Sequence, residues 1–229
     1  MRPPAPSLTL TDDFWLAAHD TVSGRPRMAA GPLGIGLATG LLGELLFTGH
    51  ITVSKGLLYL QFAPPPEDPA LVPIVAQLDE EERGRRHLAR GAHEQSGQDL
   101  YEWIRYLAIE DRAAQLVTNR LSQRGSVTLE HRRKLFGGST SRFVPRDSYV
   151  SGVPASRIIT GLQRGERLDL QTLVLAGLFL ATGLHQQALE SLTPGDRADL
   201  AGQLKGMNPM LRELLRGAEQ IVGEAVMIR

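Results

Sequence analysis

The longest apolar pattern in the chain lies in GPLGIGLATGLLGELLFTGHITVSKGLLYLQF, Gly31 to Phe62. Its first half predicts one helix. Pro32 suits a first helical turn, where its missing N–H is not needed, and Gly49 supplies the stop. Leu33, Ile35, Leu37, Leu41, Leu42, Leu45 and Phe47 point in every direction and leave no polar face, so the helix must be enclosed by other helices or by lipid. Roughly 20 apolar residues would span a bilayer. Against that, the run carries Glu44 and five glycines between Gly31 and Gly43, lacks flanking basic anchors and passes straight into a hairpin. A carboxylate inside lipid is costly, so the pattern predicts a buried central helix, with Gly36 and Gly40 marking close helix packing and Glu44 held by an ion pair or a helix-end hydrogen bond. The second half predicts two short strands turning at Ser54-Lys55-Gly56.

Around this unit the apolar spacing is mostly helical. Thr11-Asp12-Asp13 offers an N-cap to a short helix carrying Phe14, Trp15, Ala17 and Ala18, and Asp20 to Pro26 is a turn. Ala63-Pro64-Pro65-Pro66 forms a rigid connection. From Pro69 to Leu78 a helix with Leu71, Ile74, Val75 and Leu78 on one side runs into DEEERGRRHLAR, read as a solvated helix face. Leu100 to Leu121 keeps helical spacing as two consecutive helices, with a stop at Gly125. After Pro154 the pattern is helical in pieces broken at Gly165, Gly183, Pro194 and near Gly206, with a second core helix over Asp169 to Thr182 and a last helix from Asn208-Pro209. The fold class read from this is mainly α: a single helical domain over residues 7–229 around a buried apolar central helix, with short antiparallel β-hairpins, after a disordered segment 1–6.

Composition narrows the function more by exclusion than by indication. Twenty-five basic and 25 acidic side chains cancel, so no global attraction to nucleic acid or an anionic surface follows. There is no cysteine, which removes disulfides, thiol nucleophiles and thiolate metal sites. The N-terminus lacks the apolar core of a signal peptide, so a cytoplasmic location is expected. Lys55, Lys134 and Lys205 are the only lysines against an arginine-rich remainder, the usage expected of a GC-rich bacterial genome. No nucleotide, zinc-peptidase, hydrolase or calcium motif is present. His19, His50, His87, His93, His131 and His185 stand singly and read as surface or capping residues, so no enzyme, cofactor or metal is expected. A DNA-reading winged helix is excluded because Gly31 to Gly49 contains no Arg, Lys, Asn or Gln.

One surface feature remains, SVTLEHRRKLFGGSTSRFVPR, Ser126 to Arg146, which reads as a β-hairpin with a loose Gly137-Gly138 tip. Arg132, Arg133, Lys134, Arg142 and Arg146 surround Leu135-Phe136 and Phe143-Val144. Rings at a tip flanked by cations can enter the lipid interface while the cations meet phosphates, each basic residue contributing about 1 kcal/mol at an anionic leaflet. The alternative is that these apolar residues fold back onto the core.

The opening SLTLTDDFWLAAHD, the core GLATGLLGELLFTGHI and the segment LVTNRLSQRGSVTLEHRRKLF together resemble the Golgi phosphoprotein 3 family. The most specific part is G-L-x-x-x-x-L-x-E-L-x-x-x-G-x-I from Gly36 to Ile51. The resemblance implies a mainly helical, peripheral, non-enzymatic protein that binds phosphatidylinositol 4-phosphate and dips an apolar hairpin into the membrane, here around Lys134 to Val144. It makes Arg132, Arg133, Lys134, Leu135, Phe136, Arg142, Phe143 and Arg146 the lipid-binding residues, with Phe136 and Phe143 as wedges. The family's headgroup pocket, a Trp and three Arg, falls on Ala29, Ala38, Asp111 and Ala114, none of which keeps the type; Arg25, Arg27 and Arg112 lie close by as candidate substitutes. The expected partner is an anionic phospholipid or membrane surface. The alternative is a cytosolic adaptor that binds a protein partner or a second copy of the chain.

Overall fold

The computed structural model describes residues 8–88, 97–133, 139–147 and 149–227, with backbone alone for a few residues at element ends, Arg132 and Arg133 among them. The segment 1–6 expected to be disordered lies outside the described residues. At the centre is α2, Ala30–Phe47, which is buried from Leu33 to Leu45. It is long and apolar enough to cross a membrane, yet 72% of it is buried within the protein. Its enclosure comes from α1 (Leu10–Ala17), α4 (Leu100–Ala108), α5 (Arg112–Gln123), α7 (Leu170–Thr182) and α10 (Pro209–Met227), all of which pack on it. This agrees with the prediction from a helix lacking a polar side.

The glycine spacing on α2 has a steric reason. A Cβ on Gly36 would sit 2.3 Å from the Phe14 ring, and one on Gly40 would sit 3.0 Å from Thr11 Oγ1. Only bare backbone lets α1 lie this close, and that contact brings Thr11 within reach of Glu44. The cap of α1 is Thr9 rather than the Thr11 expected from sequence, and its N–H donates to Asp12 Oδ2 at 3.3 Å. That shift moves Thr11, Asp12 and Asp13 inside the helix, where all three are buried.

Strands β1 (Ile51–Ser54) and β2 (Leu57–Leu60) form the expected hairpin, paired from Ile51↔Leu60 to Ser54↔Leu57, with β3 (Gln98–Asp99) added antiparallel to β2. Lys55 and Gly56 both have positive φ, 55° and 75°, the backbone of a two-residue turn matched to strand twist. α3 spans Val72–Leu88, so the charged run belongs to the helix itself. A kink at Glu110 and Asp111, both at φ 56°, separates α4 from α5. β4 (Val127–Arg133) and β5 (Ser139–Pro145) form a separate two-stranded ribbon. α6 (Val153–Gln163), α7, α8 (His185–Ala188), α9 (Pro194–Lys205) and α10 complete the chain, α7 being capped by Asp169 through the Thr172 N–H.

Candidate lipid-binding site

The ribbon grows from α5. Ala113, Val117 and Leu121 bury one side of that helix. The Ser126 N–H then donates to Leu121 O at 2.9 Å and the Arg146 N–H to Ser126 O at 3.0 Å, which closes the base. Seven residue pairs follow, from Val127↔Pro145 to Arg133↔Ser139. Val127 and Val144 are buried at the base, while Leu129, further out, is 47% exposed. The ribbon is therefore seated at one end and projects from the helical body.

The predicted lipid-binding residues divide along it. Lys134, Leu135 and Phe136 lie outside the described residues, and Arg132 and Arg133 pair by backbone with Thr140 and Ser139. Arg142 is half-buried and faces Glu130 across the ladder, and Arg146 is exposed at the base. Phe143 corrects the expectation of a second wedge: it is half-buried and packs against the core, because it lies only two ladder steps from the buried end.

The turn before α2 is pressed against this base. Gly24 has φ 62°, and a Cβ there would fall 2.6 Å from Phe143 O and 2.9 Å from Val144 Cγ2. Arg25 and Arg27 are exposed on that turn, which is tied to α1 by the Arg27 N–H donating to Ala18 O at 2.8 Å. Their turn thus adjoins the ribbon. Arg112 is committed elsewhere: it donates to Glu110 Oε2 at 2.7 Å and to Tyr106 O at 2.9 Å, and lies 4.4 Å above the Tyr106 ring. Of the four positions expected from the resemblance to hold the headgroup, Ala38 is completely buried and Asp111 carries a carboxylate. The side chains at these positions supply no donor to a phosphate.

Sequence reasoning did not find the strongest electrostatic feature, an ionic knot beneath the ribbon's root. Arg120 is 2% exposed. Its Nε donates to Asp12 Oδ1 at 2.9 Å, Nη1 to Glu44 Oε2 at 2.7 Å and Asp68 Oδ2 at 3.0 Å, and Nη2 to Glu44 Oε1 at 3.2 Å. Arg124 bridges Asp12 Oδ2 and Asp68 Oδ2 at 2.7 and 3.2 Å. Thr11 adds its N–H and hydroxyl to Glu44 Oε1 at 2.8 and 2.6 Å. Burial works against the Arg120 charge, but Glu44, Asp12 and Asp68 outweigh it and raise its pKa. For Asp12 the balance reverses: burial raises its carboxyl pKa despite two guanidinium partners. The three carboxylates converge on guanidinium groups, and the described residues contain no His, Asp and Glu cluster suited to a metal ion.

Two histidines expected at the surface are buried. His19 stacks on Trp15 at 3.9 Å and its Nδ1 lies 2.7 Å from Trp15 O. Burial lowers its pKa to about 4, helped by nearby Arg27 and opposed by the Trp15 carbonyl. His50 links Thr48 to the Pro64 carbonyl through its two ring nitrogens at 2.7 and 2.8 Å, fixing the proline-rich connection that carries Asp68.

Comparison with curated proteins finds no match. The sequence profile of the Golgi phosphoprotein 3 (GPP34) family matches residues 10–227, nearly the whole described chain. On that match, together with the enclosed glycine-rich α2 and the helical body around it, the chain belongs to the Golgi phosphoprotein 3 family.

Proposed function

We propose that this protein is a peripheral, non-enzymatic membrane-associating protein that docks on anionic phospholipid through the β4–β5 ribbon. The observation that carries the reading is the ribbon's form: a ladder of seven pairs with its base buried at Val127 and Val144 and Leu129 exposed further out, with Arg132, Arg133, Lys134, Arg142 and Arg146 along its sequence. Family membership supports it, since the family is known for phosphatidylinositol 4-phosphate. In this chain the attraction is mainly generic charge, because Ala29, Ala38, Asp111 and Ala114 replace the headgroup side chains. Phe136 and Leu129 are the apolar contacts, and Phe143 serves to seat the ribbon. Arg25 and Arg27, on the adjoining turn, add charge to the same face.

Vesicle flotation tests this. Binding is expected to phosphatidylcholine vesicles containing phosphatidylserine, to fall steeply with salt as the exposed charges are screened over about 10 Å, and to gain little from phosphatidylinositol 4-phosphate at equal charge. Arg142→Gln with Arg146→Gln should weaken it about 30-fold, two cations at about 1 kcal/mol each. Equal flotation by the double variant would remove the ribbon from the mechanism. Dimerisation or capture of a protein partner without any vesicle binding would instead favour the adaptor reading.

A further inference from the structure

Between α7, α9 and α10 lies an open pocket of about 380 Å³ that takes no part in the ribbon face. Small-molecule sites occupy roughly 300–1,000 Å³. Its walls include Leu180, Leu204 and Leu215, while its charged groups are Lys205, Arg212 and Arg216 against one carboxylate, Glu219. Arg212 and Arg216 stand one turn apart on α10, and Lys205 is the last residue of α9.

Three features of this arrangement point the same way. Among the described residues none of these cations forms an ion pair, with Glu219 or with any other carboxylate. Arg212 spends one N–H on the Lys205 carbonyl at 2.6 Å, but its Nε–H is buried with no acceptor. A buried donor without an acceptor is a cost to the folded state. Like charges brought together over an apolar wall add a second cost, which an anion would relieve and a cation or neutral apolar molecule would not. A carboxylate or phosphate answers these charges, and guanidinium groups match its geometry.

We propose that this pocket binds an amphipathic oxyanion, a carboxylate or phosphate carried on an apolar chain, with the chain against the leucines and the oxyanion held by Arg212, Arg216 and Lys205. The site is independent of the ribbon: none of its lining residues belongs to β4, β5 or the 20–27 turn.

Calorimetric titration with decanoate tests the proposal, with decanol and decyltrimethylammonium as controls of equal chain length. Decanoate should bind and raise the melting temperature, while the two controls leave it unchanged. Arg212→Gln with Arg216→Gln should weaken decanoate by about tenfold or more, the loss of two charge-assisted contacts. Glu219→Gln should tighten it by removing the one opposing charge, a gain that no folding defect can mimic. Vesicles containing phosphatidic acid separate the two sources. In the Arg142→Gln, Arg146→Gln background, where ribbon docking is already weak, adding Arg212→Gln and Arg216→Gln lowers the remaining vesicle binding if the natural ligand is a lipid headgroup; if it is a free acid, only decanoate binding is lost. Undiminished decanoate affinity in the double variant, or an equal response to decanol, would overturn the proposal, and either result leaves the ribbon reading untouched.

Discussion

Two pairs of arginines, Arg120 with Arg124 and Arg142 with Arg146, live in opposite surroundings. Arg120 and Arg124, on α5, are turned inward onto Asp12, Glu44 and Asp68. Arg142 and Arg146, on and just beyond the strand that returns from the ribbon, carry no ion pair among the described residues. The difference lies in the neighbours. The inner pair is met by carboxylates from α1, α2 and the proline-rich connection, which lock α5 and so fix where the ribbon emerges. The outer pair has no such enclosure: Arg142 faces Glu130 across the ladder without an ion pair between them and Arg146 is exposed, and these are the side chains that the proposed docking sets against phosphate. On that proposal one residue type serves as mortar in one place and as contact surface in the other.

The comparison can be broken most severely at its inner side. Arg120→Met leaves three carboxylates without their main partner and should cost about 3–5 kcal/mol, read as a shift of the urea midpoint. Next in size is a pH effect. The His19 side chain takes its proton at about pH 4 in the folded protein, against 6.5 ordinarily. Between those values the unfolded chain is protonated and the folded one is not, so stability falls as pH drops from 6.5 to 4, by about 3 kcal/mol in total. Asp12 and Asp13 act in the opposite sense, since burial raises their folded pKa values and acid then favours the folded form. Comparing urea midpoints across that window for the protein and His19→Phe isolates the histidine: the variant should lose the acid-side decline and retain the ring on Trp15. Gly36→Ala, which pushes a methyl into the Phe14 ring, should cost about 1–3 kcal/mol in the same measurement. Smallest is the outer side itself. Arg142→Gln with Arg146→Gln should change stability by no more than about 0.5 kcal/mol while vesicle binding collapses. A large stability loss there would mean that these arginines also hold the fold.

Much of the fold was legible because local chemistry dictates it. A helix without a polar side has to be central, and Gly36 and Gly40 announce the close approach of α1. The need for a partner at Glu44 was also legible, since a buried carboxylate must be paired. The identity of that partner was not, because Arg120 is 76 residues away and only the tertiary fold brings it there. A signal was nonetheless present: Ala113, Val117, Arg120, Leu121 and Arg124 share one helical stripe, so two cations fall on an apolar face. Asp12 and Asp13 were read as cap residues because an acidic pair at a helix start is ordinary; moving the cap to Thr9 turned both inward. Phe143 was read as exposed because alternation in a strand gives the face but not the depth at which the strand leaves the core.

The seven-pair ribbon has no further strand on either flank among the described residues. Each flank is a row of amide and carbonyl groups able to template another chain. The cations that would meet phosphate also keep two such ribbons apart, since bringing them edge to edge would stack like charge on like charge. Stripping that charge should therefore trade lipid adhesion for clumping in solution, and the positively charged ribbon is its own guard against assembly.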